Sequence, residues 1–156
     1  MPIKVFNKKE KEQILKSLSE QFGIKEIPGL VLQRGEGRLF LFQGNFSPSQ
    51  FVEFETKLWL ERAGVYFGKI EKDGIRLSIE GSQILKDQIT KNIFELDKEQ
   101  AEKWMCGQEL LIKVGQKGFI IMKCGDDFLG TGKASEEKIG NYIPKNRRLK
   151  SRGVVR

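Results

Sequence analysis

Seven cations fall in the nineteen residues that end the chain: Lys138, Lys145, Arg147, Arg148, Lys150, Arg152 and Arg156, with no Asp or Glu among them. The chain carries 28 basic and 21 acidic residues, so residues 1–137 are balanced at 21 of each. The chemistry that such a strip offers is electrostatic. Arg and Lys at this density attract polyanions, and a guanidinium grips phosphate in a fixed fork. The competing reading is a solvated terminus that aids solubility. Against it, Tyr142, Ile143, Leu149, Val154 and Val155 interleave with the charges. A wholly disordered tail would hold fewer apolar residues, so part of the strip is expected to be a strand with cations outward. Lys145, Arg147, Arg148, Lys150 and Arg152 are expected on the phosphates of RNA or DNA, where they set orientation. Tyr142, an aromatic ring among cations, is expected to stack on an unpaired base.

Other chemical readings are weaker. Gly125 and Gly130 have the spacing of a Walker A loop, but Thr131 stands where its Lys belongs, and Gly132-Lys133 is out of register. A strand with glycines at a tight bend explains that stretch better. Asp126 and Asp127 are adjacent, so their side chains diverge and solvate a turn rather than hold a cation. Histidine is absent, which removes the usual activator of Cys106 or Cys124 and the commonest zinc ligand. Neither a metal nor a cofactor is expected. Phe40, Phe42, Tyr66, Phe67 and Trp104 offer rings for stacking, yet a chain of 156 residues needs most of them in its core.

Size and composition bound the rest. The chain is long enough for one domain or two small ones, and eleven Phe and two Trp supply buried area. No apolar run approaches the ~18 residues of a membrane span, and residues 1–9 hold no apolar stretch, so neither a span nor a signal peptide is expected. Two cysteines make no disulfide framework, which fits a cytoplasmic protein with reduced thiols.

The elements that must position these residues follow from periodicity. A helix is predicted over Asn7 to Phe22, capped by Asn7 with Glu10 three residues on and stopped by Gly23. Leu30–Gln33 and Arg38–Phe42 read as a hairpin across Gly35-Glu36-Gly37, and Val65–Ile70 and Ile75–Ile79 as another across Lys72-Asp73-Gly74. Ser47-Pro48 opens a predicted helix that carries Phe51, Phe54 and Leu58. A short helix is expected within Gly81 to Gln88. The first half is mixed α+β and ends near residue 90. Beyond it come a short strand, Asn92–Leu96, and a helix capped by Asp97 that ends at Gly107. Glu109–Val114 is expected to pair with Phe119–Lys123, followed by strands at Phe128–Ala134, Ile139–Ile143 and Arg148–Val155. Many short strands, glycine turns and one helix fit a small β-barrel.

That order of parts carries a resemblance. From Asn92 to Leu149 the chain resembles a PUA domain, a small pseudo-barrel that binds RNA. Leu129-Gly130-Thr131-Gly132-Lys133 followed by Gly140-Asn141-Tyr142-Ile143-Pro144-Lys145 is similar to the C-terminal PUA-like module of Sun-type RNA cytosine-5 methyltransferases. Val65–Lys69 with Ile75–Ile79 is similar, more loosely, to the pre-PUA domain of small ribosome-biogenesis proteins. The resemblance implies an α+β architecture, a pre-PUA-like domain over residues 1–90 and a PUA-like domain over 91–156. It implies structured RNA, ribosomal or transfer RNA, as partner.

Methyl-transfer chemistry is not carried over, because that family's Pro-Cys motif is missing: Cys106 follows Met105 and Cys124 follows Lys123. The expectation is therefore a protein that is not an enzyme and works by recognition, serving a methyltransferase or a ribosome-assembly factor in trans. Lys133 is expected where backbone and RNA come close. Gly107, Gly130 and Gly132 are expected to permit an approach that a side chain would block. Two rivals remain: a protein-docking factor using Phe51 and Phe54, and a carboxylate-only enzyme using Glu53, Glu55 or Glu61.

Overall fold

The computed structural model describes residues 3–43 and 64–149. Asn7 opens the first helix, α1 (Lys8–Phe22): its side chain accepts from the Glu10 amide, and the Glu10 carboxylate accepts from the Asn7 amide. Gly23 closes it at φ 82°, a conformation that costs glycine little. Ile14, Leu18 and Phe22 share the buried face. Ahead of α1 lies β1 (Ile3–Val5), three residues too short to be read from pattern alone. After it come β2 (Leu30–Arg34) and β3 (Arg38–Phe42), then β4 (Val65–Glu71) and β5 (Gly74–Leu77). These five strands form one antiparallel sheet in chain order.

Both hairpins fall where the glycine turns place them. Ile79 differs from expectation: it leaves the sheet and begins α2 (Ile79–Ile84), which a 3-10 turn (Lys86–Gln88) follows. The reason is Ser78, whose hydroxyl accepts from the Gly81 amide and donates to the Tyr66 carbonyl. That cap starts a helix while holding it to β4.

The second sheet has the order β6 (Ile93–Glu95), β7 (Gly118–Cys124), β8 (Asp127–Ala134), β9 (Ile139–Asn141). Between β6 and β7 runs α3 (Lys98–Met105), whose Asp97 and Gln100 form the expected capping box. The expected pairing of Glu109–Val114 with Phe119–Lys123 is corrected. β6 lies parallel to β7 on one side and β8 antiparallel on the other, so β7 has no free edge. Only Leu110 joins a ladder, as a single bridge to Ile139, and Leu111 is 85% exposed. The alternation read in 109–114 is real, because Leu110 is buried while Ile112 and Val114 pack partly on the core; it lays a strap over the second apolar cluster rather than a strand within the sheet. The expected strand from Arg148 is also corrected as far as Leu149: Pro144 leads a 3-10 turn, Lys145–Arg147, and residues 148–149 run on without sheet pairing.

An α+β first part and a small β-rich second part are thus present, as expected. One apolar cluster joins Leu18, Phe22, Leu39, Phe67 and Leu77 with Phe119, Ile121 and Phe128, residues from either side of residue 90. A second surrounds Trp104 with Ile120, Met122, Ile139 and Ile143, and takes Ile79 from α2. Among the described residues no helix is long and apolar enough to cross a membrane, and no group of His, Cys, Asp and Glu could hold a metal.

Candidate nucleic-acid interface

Strand register builds the site. Arg38 on β3 stands opposite Lys69 on β4, and Lys69 stands opposite Arg76 on β5. Three cations therefore form a row across the sheet. Like charges directly opposite one another are destabilising, so a fold gains nothing from this row by itself. Glu71 offsets part of it, 3.3 Å from Arg76 Nη2 and 3.6 Å from Lys69 Nζ. Tyrosines supply the rest: the Arg38 guanidinium lies 4.8 Å from the Tyr66 ring centroid and that of Arg76 lies 4.3 Å from Tyr142.

Tyr142 arrives from the other sheet, just past β9. Asn141 fixes its approach by donating to the carbonyls of Trp104 (2.8 Å) and Gln108 (2.9 Å) and accepting from the Ile143 amide (2.8 Å). The two sheets are stapled beneath it by α2. The Ser82 hydroxyl donates to the Ile79 carbonyl and accepts from the Gly130 amide at 3.1 Å. Between the sheets opens a cleft of about 250 Å³, lined by Arg38, Tyr66, Lys69, Arg76, Glu80, Gly130, Thr131, Tyr142, Pro144 and Arg147.

The residues expected from the sequence divide between this cleft and its surroundings. Tyr142 and Arg147 line it, and Arg147 Nη1 reaches Glu80 Oε2 at 2.7 Å. Lys133 binds Asp73 at 2.7 Å in a wider open groove that also holds Lys117, Lys138, Glu136 and Glu137. Phe119 connects the two places, its ring centroid 5.9 Å from Lys133 Nζ and 6.3 Å from that of Tyr142. Arg148 donates through Nε to the Ile143 carbonyl at 2.9 Å, and Lys145 is exposed on the 3-10 turn. Lys150 and Arg152 lie outside the described residues, as do Phe51, Phe54, Glu53, Glu55 and Glu61 of the two rival readings.

The picture of cations free of acids needs correction. Lys133 and Arg147 are held by Asp73 and Glu80 from the first ninety residues, and Lys138 by Glu109 at 3.1 Å. Half-exposed pairs of this kind are weak and exchangeable, so a phosphate can take the carboxylate's place. The glycines, too, have nearer neighbours than a ligand. A Cβ on Gly132 would meet Ile139 at 2.5 Å and Trp104 at 2.8 Å, and one on Gly107 would strike the Arg148 guanidinium. These two positions admit protein side chains. Gly130, at φ 82°, is the one of the three that lines the cleft.

Asp73 and Lys133 also bear on pH. Their hydrogen bond, then their mutual charge, holds the Asp73 carboxyl below its ordinary value and raises the Lys133 ammonium. A carboxyl lowered on folding contributes stability above its unfolded pKa and loses it as pH falls through the folded value. The pair thus acts on the acid side and is intact at neutral pH. In Lys133→Met, the NMR titration of Asp73 is expected to move upward to the ordinary carboxylate range. An unmoved Asp73 would show that Lys133 is not what lowers it.

Comparison with known proteins fits this geometry. Residues 91–149, which hold β6 to β9, α3 and the closing turn, match the family model described as the Methyltransferase RsmF PUA domain. The resemblance read from the glycine strand and Asn141-Tyr142 therefore stands. Curated relatives align over most of the chain. Ribosomal RNA small subunit methyltransferase F of Aeromonas salmonicida is 28% identical over 88% of this chain and 28% of its own length. Its namesake in Psychromonas ingrahamii is 28% identical over 88% of this chain and 29% of its own. That of Shewanella oneidensis is 26% identical over 88% and 28% respectively. The chain spans less than a third of the length of these relatives. They are enzymes by name, which overturns the expectation of a protein that is not an enzyme: what this chain matches is a stretch of methyltransferases.

Arg38, Lys69, Arg76, Glu80 and Thr131 are not among the residues expected from the sequence, and Tyr66, one of the rings of which most were expected in the core, lines the cleft and is only partly buried. One signal was available. The Asp73-Gly74 turn sets the β4–β5 register and so places Lys69 against Arg76.

Proposed function

We propose that this chain recognises small-subunit ribosomal RNA for methylation, residues 1–90 and 91–156 forming one platform that orients the RNA. The observation that carries the proposal is the cationic row Arg38–Lys69–Arg76, meeting Tyr142 from the other sheet. Guanidinium and ammonium groups hold phosphate, while the rings offer stacking to unpaired bases. The match of residues 91–149 to a methyltransferase's PUA domain supports the same reading, and the relatives' names supply the class of RNA. Lys145 and Arg148, beside the cleft, extend the phosphate track, with Lys150 and Arg152 following in sequence. A methyltransferase centre is the partner that such a platform would serve.

Filter binding of the full chain to small-subunit ribosomal RNA tests the proposal. The four cleft cations Arg38, Lys69, Arg76 and Arg147 contribute about −3 to the log–log salt slope, and Lys145, Arg148, Lys150 and Arg152 steepen it further. A slope near zero, or no retention at low salt, would refute it.

A further inference from the structure

We propose that the cleft between the sheets is a slot for one unpaired nucleotide of an RNA strand, with Thr131 reading the base; this rests on the RNA-binding reading above. At about 250 Å³ the cleft falls below the ~300–1,000 Å³ typical of drug-sized ligands, so it suits a single ring system with its sugar. Two arginine–tyrosine stacks, Arg38 on Tyr66 and Arg76 on Tyr142, contribute to its walls. Tyr142 remains 37% exposed, so its ring is not used up by Arg76 and Phe119.

The floor gives the sharper sign. Thr131 is only 3% exposed, lines the cleft, and its Oγ1 has no hydrogen-bond partner among the described residues. A buried hydroxyl left unpaired is costly, and a fold that keeps one invites a ligand to satisfy it. The neighbouring amide cannot do so, since Gly130 N–H is already given to Ser82. A hydroxyl both donates and accepts, which suits it to the polar edge of a base.

Charge selects the class of ligand. Arg38 and Lys69 stand on one side of the cleft, and Arg147 comes from the turn beyond β9 on the other. Cations on both sides fit a chain that brings phosphate in and takes phosphate out. Paired bases are stacked inside a helix and cannot enter, whereas a bulged base can be splayed into a pocket. Arg147 is released from Glu80 when a phosphate replaces the carboxylate.

The test compares a fully paired RNA duplex with the same duplex carrying one bulged 2-aminopurine, each titrated with the full chain. Wild type is expected to bind the bulged duplex more tightly and to quench its fluorescence by stacking. Tyr142→Ala should lose about 5- to 150-fold on the bulged duplex and little on the paired one, with Tyr142→Phe restoring both binding and quenching. Thr131→Val should melt no lower than wild type, because it removes an unpaired hydroxyl, yet bind the bulged duplex more weakly. Equal affinity for the two duplexes, or wild-type binding by Thr131→Val, overturns the slot and leaves the RNA-binding reading intact. Failure to bind either RNA overturns both.

Discussion

Replacing Arg38, Lys69 and Arg76 together with Gln is expected to weaken binding to ribosomal RNA by on the order of 100-fold at moderate salt. The salt slope should flatten by about 2–3 units, since each lost phosphate contact removes about 0.7 to 0.9. Two features make this the largest functional effect. The three side chains lie in register across β3, β4 and β5, so one stretch of backbone meets all of them. They also repel one another where they stand, which a structural role alone would not favour. Folding should survive, because the lost repulsion offsets the lost contacts to Glu71, Tyr66 and Tyr142: circular dichroism is expected to show the native fold, with a melting temperature within a few degrees of wild type. An unchanged salt slope in the triple variant would remove the row from the interface.

Trp104→Ala is expected to have the largest effect on stability. The ring is fully buried at the centre of the second cluster, and its Nε1 donates to the Leu129 carbonyl at 3.0 Å. Truncation leaves a cavity beside Gly132 and Ile139 and strands that carbonyl. Losses of this kind run about 3–5 kcal/mol, which lowers the melting temperature by on the order of 10 °C in a chain of this size. Differential scanning calorimetry checks it. Trp104 also holds the site in place, because its backbone carbonyl accepts from Asn141, the residue that delivers Tyr142. The variant should thus lose RNA affinity only as it unfolds. A Trp104→Ala protein that melts with wild type would mean that the second cluster has another centre.

Much of the fold was legible because its signals are local. Asn7 with Glu10 and Asp97 with Gln100 announce their helices, and the glycine turns announce both hairpins of the first sheet. Misread parts depended on competition between distant segments. Glu109–Val114 alternates like a strand, yet β6 and β8 occupy both edges of β7. Ile79 looks like the end of β5 until Ser78 is seen to bridge Tyr66 and Gly81. The candidate site was half legible for the same reason. A charge run is visible in one dimension, so Arg147 and Tyr142 stood out from their own neighbourhood. Arg38, Lys69 and Arg76 are separated in sequence and become a row only through pairing. Nor could composition show that Asp73 and Glu80, from the balanced first part, would hold Lys133 and Arg147.

Ultraviolet crosslinking of the full chain to small-subunit ribosomal RNA, with the attached peptides mapped by mass spectrometry, tests the central claim most directly. RNA adducts are expected on the peptides that carry Tyr66, Tyr142 and Arg147, whose side chains share the cleft. Adducts confined to the face of α1, with those peptides unmodified, would contradict an RNA interface between the two sheets.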